Sequence, residues 1–123
     1  MIETLKNKIT LGDSFEILKQ LPDKCIDLIL TDPPYGINYS SSPHSHSKMT
    51  KKSWDSKTPS DEFFLEMFRV SKNQIIFGGN YFPILWKYAG RGFIFWHKHT
   101  VVPNFADGEL AWTSFDKVAK CYD

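Results

Sequence analysis

An α/β domain on a largely parallel sheet is predicted by three features of the chain. Short apolar runs stop abruptly at glycine or proline, as buried strands do. Segments with helical apolar spacing alternate with these runs, which favours crossover connections. One run, Ile26-Asp27-Leu28-Ile29-Leu30, leads directly into Thr31-Asp32-Pro33-Pro34-Tyr35-Gly36. There each proline fixes its own φ, and Pro34 also pushes Pro33 out of the helical region. The turn is therefore stiff. It holds an acid, Asp32, and a ring, Tyr35, at the strand end where open α/β sheets bind ligands. A carboxylate, a carbonyl from a locked turn and a ring face suit a planar base bearing an amino group.

The first element expected is a strand over Lys8-Ile9-Thr10-Leu11, ended by Gly12. Asp13 reads as a helix N-cap with Glu16 three residues on, as in a capping box. Phe15, Leu18 and Leu21 recur at helical spacing, and Pro22 stops that helix. The strand at 26–30 completes a strand–helix–strand unit. Residues 36–59 are rich in serine and lysine and hold few large apolar side chains, so a functional or mobile loop is expected at about 37–58. Pro59-Ser60-Asp61-Glu62 opens a helix with a serine cap, acids in the first turn and Phe64, Met67 and Phe68 on one face; Asn73 is its expected end. Gln74-Ile75-Ile76-Phe77 is a buried strand stopping at Gly78-Gly79. A short helix from Pro83 to Gly90 and strands at Phe93-Ile94-Phe95-Trp96 and Leu110-Ala111-Trp112-Thr113 complete the expected order.

With 123 residues, the chain is one domain at most and buries about 65% of its unfolded surface. Apolar content of 41%, with 15% aromatic residues, marks a globular chain. No segment approaches the roughly 20 apolar residues of a membrane span, and Met1-Ile2-Glu3-Thr4 has no signal-peptide pattern. Cys25 and Cys121 form no Cys-x-x-Cys, and Cys25 leads into an apolar strand as a small core residue. A reducing cytoplasm is the expected compartment. The net charge of +1 says nothing about nucleic acid, where a local basic patch matters more than the total.

The Asp32-Pro33-Pro34-Tyr35 segment resembles the catalytic motif of S-adenosylmethionine-dependent amino methyltransferases, which act on adenine N6 or cytosine N4 in DNA. The likeness includes Gly12-Asp13-Ser14, Leu18, Leu21-Pro22-Asp23 and Ile26-Asp27-Leu28-Ile29 before the motif. It continues in Ile76-Phe77-Gly78-Gly79-Asn80-Tyr81-Phe82 and in Asn104-Phe105-Ala106-Asp107 through Glu109-Leu110-Ala111-Trp112-Thr113-Ser114-Phe115, which are similar to later segments of phage-type members. Residues 37–70 lie outside it. The resemblance implies a partial Rossmann-like methyltransferase sheet with flanking helices.

It also implies roles. Asp32 and the Pro33 carbonyl would accept hydrogen bonds from the reacting amine, with Pro34 holding the turn rigid and Tyr35 stacking on a base extruded from the duplex. Asp13 and Asp32 would face the cofactor, S-adenosylmethionine, although Asp13 is equally well explained as a helix cap. Lys48, Lys51 and Lys52, interleaved with Trp54, lie in the loop after Tyr35 and suit contacts to DNA phosphates; a merely solvated lysine run is the alternative. Adenine is the expected base because the motif begins with Asp; a cytosine-N4 enzyme and a non-catalytic remnant or subunit are the alternatives. Gly78-Gly79 does not form the dinucleotide glycine pattern and equally suits a tight turn. His44/His46 and His97/His99 are His-x-His pairs with no third ligand at matching sequence spacing, so no metal is expected. His97 also departs from the Trp-Asp-Lys of the family pattern, and no role for that acid carries over.

The family's Phe-x-Gly-x-Gly cofactor signature does not occur in these residues. The order suits the permuted class, in which the catalytic motif comes first and the recognition segment and glycine motif follow. The chain is accordingly expected to be the front half of an enzyme, needing a second polypeptide or a second copy to supply the rest.

Overall fold

The computed structural model describes residues 2–36, 58–88, 91–99 and 102–123. Its elements run α1 (Ile2–Leu5), α2 (Ser14–Lys19), β1 (Ile26–Thr31), α3 (Asp61–Val70), β2 (Ser71–Phe77), two 3-10 turns (Gly79–Tyr81 and Pro83–Lys87), β3 (Ile94–His97), β4 (Gly108–Thr113) and β5 (Lys120–Tyr122). The five strands form one open sheet in the order β1-β2-β4-β3-β5. β1 is parallel to β2, β4 is antiparallel to both β2 and β3, and β5 is parallel to β3. Four strands therefore point the same way with β4 reversed among them, and the mixed α/β class is as expected.

The helix starts follow from their caps. Asp13 Oδ1 accepts from the backbone N–H of Phe15 (2.8 Å) and Glu16 (3.1 Å), two of the donors a helix start leaves unpaired. The Glu16 carboxylate pairs with Lys19 at 2.8 Å, and no reciprocal capping-box bond occurs among the described residues. Ser60 Oγ caps α3 through Phe63 N–H, with Asp61 and Glu62 in the first turn. α3 lays Phe64, Met67 and Val70 against the sheet, all at most 1% exposed. Phe64 and Met67 join Ile76, Phe82, Ile84, Leu85 and Trp112 in one core, with Leu18, Ile29, Phe63 and Phe68 packed around it. Buried polar groups near it are paired. Ser71 Oγ donates to the Met67 carbonyl at 2.5 Å, and Gln74 Nε2 donates to Ser71 Oγ at 2.8 Å. The exception is Trp112, whose buried indole N–H has no partner among the described residues, a loss of about 1–3 kcal/mol.

Several sequence expectations need correction. Residues 8–11 form no strand; Ile9 and Leu11 are fully exposed at 104% and 102%. Alternating apolar residues make a strand only where a neighbour takes up the backbone N–H and C=O groups, and none of the described strands does so here. The crossover that forms is therefore β1–α3–β2. Asn73 does not end α3, which stops at Val70; Ser71 and Asn73 pair with Ile26 and Leu28 of β1, and that pairing carries the strand three residues further back. The segment from Pro83 is a 3-10 turn ending at Lys87, and Gly90 lies outside the described residues. α1 and β5 were not expected.

Among the described residues, nothing covers the other face of the sheet at β1. Ile29 packs into the core, whereas the alternate residues Leu28 and Leu30 are 43% and 64% exposed. Among the described residues, no helix is long and apolar enough to cross a membrane.

Candidate active site at the carboxyl ends of β1 and β2

Because β1 and β2 are parallel, with Thr31 opposite Ile76, their carboxyl ends open on the same rim of the sheet. The chain leaves β1 through Asp32-Pro33-Pro34-Tyr35 and leaves β2 through Gly78 into the Gly79–Tyr81 turn. Pro33 is buried and Pro34 half-buried, so the turn is anchored, while Asp32 is exposed.

Tyr35 joins the two segments. Its hydroxyl donates a short hydrogen bond to Asp32 Oδ1. Its ring stacks on Tyr81 at a centroid distance of 4.8 Å and an interplanar angle of 12°, and meets Phe82 edge-on at 6.2 Å. The arrangement requires glycine at position 78. Gly78 adopts φ +71°, and a Cβ there would lie 2.0 Å from Tyr35 Cε1. Gly79 allows an equally close approach on the other side, where a Cβ would lie 2.5 Å from Trp112 Cβ. The sequence reading of a tight turn at these glycines is thus right in form, but they also make room for the ring of Tyr35.

Burial pushes the Tyr35 phenol well above its ordinary range, reinforced by the hydrogen bond to Asp32 and by the charges of Asp32 and Glu109. Tyr35 therefore stays a neutral donor and fixes one oxygen of the Asp32 carboxylate. The second oxygen retains its own lone pairs for another donor. One face of Tyr35 is covered by Tyr81, so an external ring reaches Tyr35 on that side only if Tyr81 moves; Tyr81 itself is 38% exposed.

Glu109 was missed by sequence reasoning. It lies on β4 opposite Trp96 and holds Lys98 Nζ in a short ion pair, with Lys98 Nζ also 5.2 Å from the Trp96 ring. Lys98 is thereby tied to β4 at the same rim. The signal for this pairing is the strand register, which no local sequence pattern states.

Asp13 is not at a strand end, because residues 8–11 form none; its observed work is to cap α2. α2 packs on α3 through Phe15 and Phe63, whose rings meet edge-on at 5.7 Å. Lys48, Lys51, Lys52 and Trp54, and all of the expected loop at 37–58 except its last residue, lie outside the described residues. The structure thus brings Asp32, Pro33, Pro34 and Tyr35 together with Gly78, Tyr81 and Phe82. No known family's sequence pattern and no curated protein matches this chain.

Proposed function

We propose that this chain is the catalytic segment of an S-adenosylmethionine-dependent DNA methyltransferase acting on adenine N6. The observation that carries the reading is the Asp32 carboxylate, exposed at the carboxyl rim of a parallel strand pair and oriented by Tyr35 beside an aromatic turn. An exocyclic amine is a poor nucleophile because its lone pair is delocalised into the ring. Acceptors for both of its N–H groups favour the pyramidal nitrogen and stabilise the positive charge that grows on it. Asp32 supplies one acceptor and the Pro33 carbonyl the other. Preorganised groups of this kind contribute on the order of 3 kcal/mol each. The base must leave the duplex to reach them, and an aromatic ring holds it by stacking worth roughly 1–3 kcal/mol. Tyr81 is the outer ring of that platform, and Tyr35 the inner one that orients the acid.

The described residues do not form a complete cofactor site. Asp13 Oδ1 is already engaged by two backbone N–H groups, and no Phe-x-Gly-x-Gly turn occurs. Further residues, in the same polypeptide or in another, would complete the pocket for the methyl donor. That same incompleteness favours one rival, a non-catalytic remnant or subunit. Two measurements separate the readings. Co-expression with the neighbouring reading frame, followed by mass spectrometry of treated DNA, yields 6-methyladenine if the proposal holds; 4-methylcytosine assigns the cytosine class, and no methylated base assigns the remnant. Calorimetry with the chain alone is expected to show weak S-adenosylmethionine binding or none.

A further inference from the structure

The far side of the same rim carries a second cluster that the acid–aromatic site does not use. β3 ends at His97, His99 follows two residues later, and β5 runs parallel to β3 with Tyr122 opposite Trp96, which sets Asp123 level with His97. The two imidazoles meet edge-to-face with centroids 4.2 Å apart, and His99 Nε2 lies 2.9 Å from Asp123 Oδ1. One ligand atom from each of His97, His99 and Asp123 falls within a group spanning 4.8 Å. The His-x-His pair has no third ligand by sequence spacing; the third comes from pairing β5 beside β3.

From this geometry we propose that His97, His99 and Asp123 form a binding site for a Zn2+-class divalent transition-metal ion. Two imidazole nitrogens and one carboxylate oxygen are the donors such ions take, whereas Mg2+ and Ca2+ prefer oxygen alone. In a tetrahedral zinc site with bonds of about 2.1 Å, neighbouring ligand atoms lie about 3.4 Å apart. No separation in the present cluster exceeds 4.8 Å, so side-chain rotation has at most about 1.4 Å to close. His97 is half-buried and the other two are exposed, so water completes the coordination. Lys98, between the two histidines, is held by Glu109 on β4. Two strand spacings of about 4.8 Å separate β3 from β2, so the metal lies roughly 10 Å from the β2 side of the acid–aromatic site. Its effect is to clip the end of β5, three exposed residues long, to the end of β3. The proposal does not depend on the methyltransferase reading.

The test uses the whole 123-residue chain, stripped with chelator, titrated with Zn2+ by calorimetry and with Co2+ by visible absorption. One Zn2+ per chain, a rise in Tm and a Co2+ spectrum typical of nitrogen and oxygen ligands are expected. His97→Ala, His99→Ala and Asp123→Ala should each weaken binding at least about tenfold, since losing even an outer partner of a ligand does as much. All three side chains sit at the surface or the rim, and circular dichroism verifies their folding. The His44→Ala/His46→Ala double variant and Cys121→Ser control for the other soft ligands and should bind as the parent does. No binding by the parent chain, unchanged affinity in all three rim variants, or loss of binding in a control variant instead, would overturn the assignment.

Discussion

Gly78 takes φ +71°, and a Cβ built on it would overlap the Tyr35 ring at 2.0 Å. Both terms act against any other residue: left-handed backbone strains an L-residue, and the ring has Tyr81 on one side and the core behind it. Gly78→Ala is expected to destabilise the chain by about 2–4 kcal/mol and to disturb the Asp32–Tyr35 hydrogen bond. Gly12→Ala is the contrast, because its Cβ would meet only the flexible end of Ile17, 3.0 Å away. Equilibrium urea unfolding of the two variants checks the ordering; equal losses would show that the ring can yield.

At the scale of elements, Arg69 of α3 ties three segments together. Its guanidinium donates to the carbonyls of Leu18 (3.1 Å) and Leu21 (2.8 Å), and pairs with Asp23 and Glu66 at 2.7 Å each. It thereby adds a charged donor to the Leu18 carbonyl, which already accepts from Leu21 N–H at 3.0 Å, and holds the Leu21 carbonyl just beyond α2. Lys72 and Asp27 also form a pair at 2.7 Å, yet their side chains are 58% and 90% exposed, so water and salt screen them. Arg69→Met should lower Tm clearly and Lys72→Met hardly at all; equal shifts in differential scanning calorimetry would contradict this.

The elements also show what the sequence made legible. Apolar runs at 26–30, 93–96 and 110–113 announced strands because short runs of apolar, β-forming residues favour a sheet, and Ser60 with Asp61 and Glu62 announced α3 because capping is local chemistry. Residues 8–11 carry the same alternation without a pairing partner, and Lys120–Tyr122 is a strand whose residues are all exposed. In both cases the decision lies with a distant neighbour. Likewise Asp32, Pro33, Pro34 and Tyr35 were readable as one motif. The Tyr81 ring, the close approach of Gly78 and the charge of Glu109 come from pieces joined only by the sheet.

At the scale of the whole molecule, α3 covers one face of the sheet, and among the described residues nothing covers the other face at β1. Among the described residues β1 is an edge strand, Leu28 and Leu30 stand exposed, and the segment carrying Ile9 and Leu11 joins no strand. An unpaired edge beside exposed leucines favours association with another chain. The isolated protein should therefore self-associate in light scattering, and Leu30→Lys should shift it toward monomer. A stable monomer at all concentrations would contradict the inference that a partner or second copy covers this side.

The central proposal is that Asp32 accepts the reacting amine, and the most direct measurement is methyl transfer by the chain co-expressed with its neighbouring reading frame. Asp32→Ala removes an exposed side chain, so folding should persist while the rate of 6-methyladenine formation falls on the order of 100- to 1000-fold. Methylation by that variant at close to the parent rate would contradict the account.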